Sequence, residues 1–428
     1  MVTQWSKQRF IRALAALGAV LVLAFSSCVF AQQVTITLMG GTQENIREML
    51  PVFHEMYPHI NVEYRPILEG DHNEQVLLQI AAGTSPDVFL LDIPYVQVFH
   101  ERDLLYDLRD LATRHDVPLD MYPEYVLDIF TREGKTYALP KGFTPVVTFY
   151  NRQMFAERGV AEPTRRWTWN DHVEIARKLT VDRTGDGQPD VYGTLFSTWV
   201  GYVIPMMWSW GTDFLSPDGS TASGYVNSVR TAEFFEFIQD WQTSGIAPPP
   251  GVPGSLSAGS VAMTPSGHWG MFSLRERLDA GEFDLGVIHL PIGPYADDPT
   301  TVIYSTGWAI SKDTQHLEEA ILLMNFLAGP IYMRKEALET LVEIPGHSDL
   351  IRELLETDPY NVEDEFVYAA QFGRAPWTTR FAGFSNAEAE YLAPAVEAIW
   401  QGAAVGPELE KAALGLDTWL AEHAAGRR

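Results

Sequence analysis

From residue 34 the chain reads "VTITLMGG", with apolar and polar side chains alternating as in a half-buried strand. In "ENIREMLPVFHEMYP" the period changes. Ile46, Leu50, Phe53 and Tyr57 recur three and four apart, which predicts a helix. A strand-like "NVEYRPI", a helical "EQVLLQIAAG" stopped by Gly83, and an apolar "PDVFLLD" ending at Asp92 follow. Strands alternating with helices predict an α/β fold, a mostly parallel sheet wrapped by helices. In such sheets ligands sit beyond the carboxyl ends of the strands, which singles out Gly40 to Glu44 and Asp92 to Tyr95.

The pattern changes at "GKTYALPKGFTPVVTFYN", two alternating segments broken by Pro140, Gly142 and Pro145. This reads as a crossing between two lobes, where side chains such as Lys141 and Thr144 point into a cleft. A capped helix ("TWNDHVEIARKLT"), an Asp/Gly loop, a Trp-rich helix ending near Gly211 and an amphipathic "VRTAEFFEFIQDWQTSG" follow. "SVAMTPSGHW" predicts a short strand running into Pro265 and Gly267, with Trp269 on a loop at its end. "FDLGVIHLP" and "STGWAISK" are further strands, "HLEEAILLMNFLAGP" another helix, and the C-terminal part is mostly helical.

The first 31 residues read differently. Lys7, Arg9 and Arg12 precede the apolar run "ALAALGAVLVLAF" and a "VFA" cleavage site before Gln32, the layout of a secretory signal peptide. The single cysteine, Cys28, lies in this leader. Its "FSSC" context resembles a degenerate lipoprotein box, so export ends in soluble release or in tethering through Cys28. The rest of the chain then carries no thiol and must be stabilised by an apolar core. A formal charge of −26 repels nucleic acid and anionic lipid and argues against both as partners. Twelve tryptophans are more rings than a core alone needs to explain, and point to a site that uses them.

The ordered series "FHEMYPHINVEY", "QIAAGTSPDVFLLD", "GKTYALPKGFTPVVTFYNRQMF", "WTWNDHVEIARKL", "SAGSVAMTPSGHWGMF" and "STGWAISKDTQHLEEAILLMNFL" spans nearly all of the chain after the leader. It resembles the extracellular solute-binding protein family 1, the carbohydrate-binding proteins of bacterial ABC importers that include maltose-binding protein. The resemblance implies a two-lobed periplasmic binding protein fold (type II), each lobe a mixed sheet flanked by helices. Lobe 1 is expected over 32–143 and 301–345, lobe 2 over 144–300 and 346–428, with a hinge between them. It further implies capture of a sugar in the interlobe cleft, delivery to a membrane permease, a periplasmic or cell-surface location, a monomer, and neither catalysis nor a required cofactor. "GHW" stands where the family has "GPW", whose tryptophan stacks on the ligand, so Trp269 is expected to be a platform. Trp199 in "FSTWVGY" and Arg374 in "FGRAPW" resemble positions near the ligand. The family's aromatic near the start of the C-terminal helix is missing from "FSNAEAEYL", so maltodextrin specificity does not carry over.

Sugar chemistry points the same way. A pyranose has C–H faces that suit flat aromatic rings and a hydroxyl rim that suits charged hydrogen-bonding groups. Trp269, Trp199, Trp308 and Tyr95 are candidates for the first role; Glu44, Asp92, Lys141 and Arg374 for the second, with Thr144 in the crossing. Each has an ordinary alternative: helix packing for Trp199, an N-cap for Asp92, dipole capping for Glu44, a surface ion pair for Arg374. Asp182, Asp186 and Asp190 in "DRTGDGQPDVYG" resemble half a calcium loop, but Gly193 stands where the closing glutamate belongs; the alternative is a tight Asp/Gly turn. Rival functions are a secreted glycoside hydrolase, which needs two carboxylates at fixed separation, a binding protein without a transport role, and a binder of another polyol such as a glycerol phosphate.

Overall fold

The computed structural model describes residues 33–41, 43–66, 72–339 and 343–425; the leader and Cys28 lie outside them. In chain order the strands are β1 (Val34–Met39), β2 (Ile60–Arg65), β3 (Val88–Asp92), β4 (Leu139–Pro145), β5 (Val147–Asn151), β6 (Met263–Ser266), β7 (Leu285–His289), β8 (Thr301–Ile310), β9 (Ile344–Pro345) and β10 (Gly373–Arg374). A short hairpin at 131–136 stands apart.

The larger sheet runs β9-β4-β8-β3-β1-β2. β1 pairs in parallel with β2 and β3, each reached through a helix: α1 (Gln43–Met56) and α2 (His72–Ala81). β3 is buried from Val88 to Leu91 because it lies between β1 and the antiparallel β8. The sheet is therefore mixed, as expected. The smaller sheet, β6-β5-β7, is antiparallel throughout, so the mixed pattern expected of both lobes holds only in the larger. In that sheet β5 is the middle strand, and β6 and β7 both flank it running the opposite way.

Three passages of chain meet where the sheets join. The Val146 amide donates to the Val302 carbonyl at 3.2 Å, the Thr301 hydroxyl donates to the Val146 carbonyl at 2.6 Å, and Thr301–Val302 pairs with β10. Around this crossing one apolar cluster is continuous between the sheets. It joins Phe89 and Leu91 of β3 to Phe149 of β5, Leu285 and Val287 of β7, and Phe366 of the helix Glu363–Ala370.

Helices of the smaller body follow the sequence pattern closely. Thr168 and Asp171 close a reciprocal capping box on α3 (Trp169–Leu179). α4 (Val200–Ser209) is buried on nearly all sides, and α5 (Val229–Thr243) buries Phe234, Phe235, Ile238 and Trp241. α6 (Trp269–Asp279) begins at Trp269, so that residue opens a helix instead of standing on a loop. Beyond α7 (Leu317–Leu327), α8 (Ser348–Thr357) lies against β9, so the larger body reaches past residue 345. α9 (Glu363–Ala370) spans both sheets, packing on β7 and β4. α10 (Ala393–Trp400) and α11 (Val405–Ala425) close the smaller body.

Trp241 anchors this second core. It is 1% exposed, stacks on His172 at 5.0 Å and lies 5.8 Å from Trp169. Burial holds the His172 imidazole neutral, down at about 3. Trp241→Ala is expected to destabilise the protein by about 3–5 kcal/mol, read as a lower urea midpoint at unchanged slope.

Candidate functional site

One wall forms on the larger sheet level with the carboxyl end of β3. Asp92, Thr306 and Gly142 lie abreast on β3, β8 and β4. Beside them Lys141 is buried, its ammonium 3.1 Å from Glu336 Oε2 and 4.0 Å from Glu343 Oε1. Glu336 also accepts from Asn45 and from the Tyr332 hydroxyl, each at 2.8 Å, and Glu343 accepts from Thr306 at 3.2 Å. Gly142 is required here: a Cβ would lie 2.7 Å from the Glu343 carboxylate and 2.6 Å from the Ile344 carbonyl. Burial opposes charge on Lys141, yet Glu343, Glu336 and Asp92 outweigh it and raise the ammonium above its ordinary value. For Glu336, Lys141, Asn45 and Tyr332 overcome burial and lower the carboxyl; for Glu343 burial wins and raises it.

The second wall is aromatic and comes from the smaller body and the crossing strand. Trp199, at the N-cap of α4, is 49% exposed, a rare state for so large an apolar ring. It stacks on Tyr304 of β8 (5.6 Å, 26°) and meets Tyr202 (4.7 Å) and Trp269 (6.2 Å) edge-on. Tyr202 and Trp269 stack in turn (6.3 Å, 20°). Glycines at 201 and 267 permit this crowding, since a Cβ at either would fall within 2.5 Å of the Trp199 or Trp269 ring. Burial, with the charges of Glu388 and Tyr202, raises the Tyr304 phenol. Glu388 itself has a buried Oε1 with no hydrogen-bond partner, and burial pushes its carboxyl up to about 8.

One polar knot sets where Trp269 points. The His268 amide donates to Thr144 Oγ1 at 2.6 Å, and its Nε2 lies 3.0 Å from Glu363 Oε2. His268 and Glu363 are 0% and 1% exposed. The next residue along the chain is Trp269.

The structure gathers some candidates and disperses others. Asp92 and Lys141 share the charged wall, and the Asp92 side chain makes no cap bond although it occupies an N-cap position. Thr144, Trp199 and Trp269 meet at the aromatic wall or its support. Tyr95 lies on the turn Ile93–Tyr95, which packs against Trp377–Thr379. Glu44 is exposed in the first turn of α1, and it is the buried Asn45 beside it that reaches Glu336. Trp308 corrects the expectation of a cleft platform. It is fully buried beside Tyr332, with Gly41 close over its ring, because β8 is an inner strand at that point. Arg374 also lies elsewhere, over Trp208 at 5.5 Å. Trp167 and Trp169 are core.

The Asp182–Asp190 loop takes the turn form. Asp182 accepts from the amides of Gly185 and Gly187, Asp186 from Gln188, and Asp190 from Thr184. Among the described residues no group of three His, Cys, Asp or Glu is arranged to hold a metal. Residues that sequence reasoning missed are Asn45, Tyr202, Tyr304, Glu336, Glu343 and Glu388. Only Tyr202 and Tyr304 had a local signal, an aromatic beside a candidate already singled out.

Residues 37–334 match the family described as bacterial extracellular solute-binding protein, and the chain belongs to that family. It works by binding solute, without catalysis. The chain is 21% identical over 306 residues to the arabinooligosaccharide-binding protein of Bacillus subtilis, covering 69% of each. Its fold resembles an ABC substrate-binding protein of Listeria monocytogenes in complex with cycloalternan. There the TM-score is 0.77 and the identity 22%, over 91% of this chain and 98% of that one. Maltose-bound MalE3 of T. maritima gives a TM-score of 0.73 at 20% identity, over 90% and 100%. These likenesses show the α/β fold of periplasmic binding proteins.

Glu388 gives a prediction with a definite sign. Its folded carboxyl titrates at about 8, above the unfolded value near ~4.3, so the folded state holds the extra proton between those limits. Its contribution to stability is complete below the lower limit and is lost as pH rises through the upper one. Glu388→Gln should match the native chain in melting temperature near pH 4 and exceed it increasingly up to pH 8. An unchanged difference across that range would show that Glu388 titrates normally.

Proposed function

We propose that this protein captures a neutral sugar, a mono- or oligosaccharide, between its two bodies and delivers it to the permease of an ABC importer. The observation that carries this reading is the ring cluster of the half-exposed Trp199 with Tyr202, Trp269 and Tyr304, supported at Thr144 by the strand that leads to the charged wall. Rings supply faces for sugar C–H groups, while Asp92, Glu336, Glu343 and Lys141 supply directional partners for hydroxyls. The family and the sugars named for its relatives support the same class. An anionic polyol such as a glycerol phosphate fits less well, because Lys141 is already engaged by Glu336 and Glu343.

The two bodies act as lobes that rotate about the crossing at 145–147, 301–302 and 373–374. Ligand favours the closed form by touching both walls, and the permease reads that form. Leader 1–31 exports the chain, which works as a monomer in the periplasm or at the cell surface, tethered there if Cys28 is lipidated.

Titrating intrinsic tryptophan fluorescence with mono-, di- and trisaccharides should give a saturable change with at least one neutral sugar and no accumulating product. Trp269→Ala should then weaken that sugar by about tenfold or more, the ~1.4 kcal/mol step expected when an aromatic partner is lost. No response from the folded protein to any sugar would reject the carbohydrate reading.

A further inference from the structure

A cavity in the smaller body lies away from the aromatic wall. Its volume is about 1250 Å³, and Trp208, Tyr295 and Trp377 line it together with Arg230, Arg374 and Arg380. Each guanidinium covers a ring: Arg230 over Tyr295 at 4.4 Å, Arg374 over Trp208 at 5.5 Å, Arg380 over Trp377 at 4.7 Å. The rings are themselves fixed. Asp213 accepts the Trp208 indole N–H on one carboxylate oxygen and the Trp377 indole N–H on the other, both at 2.7 Å. A part-buried carboxylate is costly, and this one holds two indoles at fixed angles.

The arginines have no ionic partner to match. Among the described residues none of the three has a carboxylate oxygen within ion-pairing distance, in a chain with 56 acidic residues. Arg230 and Arg380 each donate to one backbone carbonyl, Gly211 at 3.3 Å and Pro217 at 3.2 Å. The Arg374 charge is felt by Asp213, whose oxygens are taken by the indoles. Asp297 and Asp298 also line the cavity, the acids with which an incoming anion would compete. A guanidinium lying over a ring keeps its in-plane N–H donors, the arrangement that pairs with a carboxylate through two bonds.

The cavity is also tied to the aromatic wall. Trp199 and Trp208 stand at the two ends of α4, about 14 Å apart along a helix rising 1.5 Å per residue. The turn carrying Trp377 packs against Ile93–Tyr95, the strand edge beside Asp92. The geometry points to a second ligand site here, one that takes a carboxylate-bearing sugar unit, a uronate, on Arg230, Arg374 and Arg380. The choice of a sugar rests on the function proposed above; the choice of a carboxylate rests on this cavity alone.

Calorimetric titration of the full chain with glucuronate, glucose and acetate tests it. Glucuronate should bind at millimolar concentration or better, weaken as salt is raised, and remain uncompeted by glucose. Its affinity should persist in Trp269→Ala and fall at least tenfold in the double variant Arg230→Gln with Arg374→Gln, at an unchanged melting temperature. Arg374→Lys, which keeps the charge and loses the fork, should fall between. Loss of glucuronate binding in Trp269→Ala would place the acid at the aromatic wall and overturn the second site. Acetate binding as tightly as glucuronate would overturn the sugar, and no heat from glucuronate would overturn the whole. Failure of every neutral sugar with glucuronate binding retained would reject the earlier reading and leave this cavity as a carboxylate site.

Discussion

The contact between His268 and Glu363 is the point on which the site's geometry turns. It joins the start of α6 to α9, and the adjoining amide fastens the same residue to Thr144 in the crossing strand. Three segments distant in sequence are fixed at one buried place, and the side chain that follows immediately is Trp269. An imidazole here does two jobs that a proline at this position cannot do. It keeps a backbone N–H for Thr144 and adds a side chain for Glu363. Gly267 completes the arrangement by leaving room for the indole to fold back over the chain.

The two walls differ in physical kind. One is a buried set of carboxylates around a single ammonium, held together by Asn45, Tyr332 and Thr306; the other is a layer of rings with one acid behind it whose carboxyl burial raises. Burying charges costs several kcal/mol per ion, so a network of this sort is weak evidence for stability. Its value is orientation: Lys141 fixes Glu336, and Gly142 admits Glu343, so that acceptors hold their directions before a ligand arrives. A molecule with an apolar face and a hydroxyl edge matches that division.

How far the sequence reached depended on the range of the interactions involved. Asp92 was legible because a buried apolar run must end at a sheet edge, Trp269 because Pro265 and Gly267 precede it, and Trp199 only through its resemblance to a family position. Glu336 and Glu343 were not, since their meaning lies in pairing with Lys141 nearly two hundred positions earlier. Trp308 misled for a related reason: "STGW" reads alike on an edge strand and an inner one, and only the pairing with β3 and β4 decides. Arg374 was noticed for its motif, but its neighbours Trp208 and Trp377 are set by the helical packing around Asp213. The Asp/Gly loop resolved into backbone hydrogen bonds that its composition allowed equally well.

The apolar cluster that runs unbroken from β3 to β7 has a mechanical meaning. Two bodies sharing a greasy spine cannot part along it without exposing Phe89, Phe149 and Phe366 to water, so relative motion is confined to swinging about that line. The same continuity couples their fates. Melting either body strips apolar cover from the other.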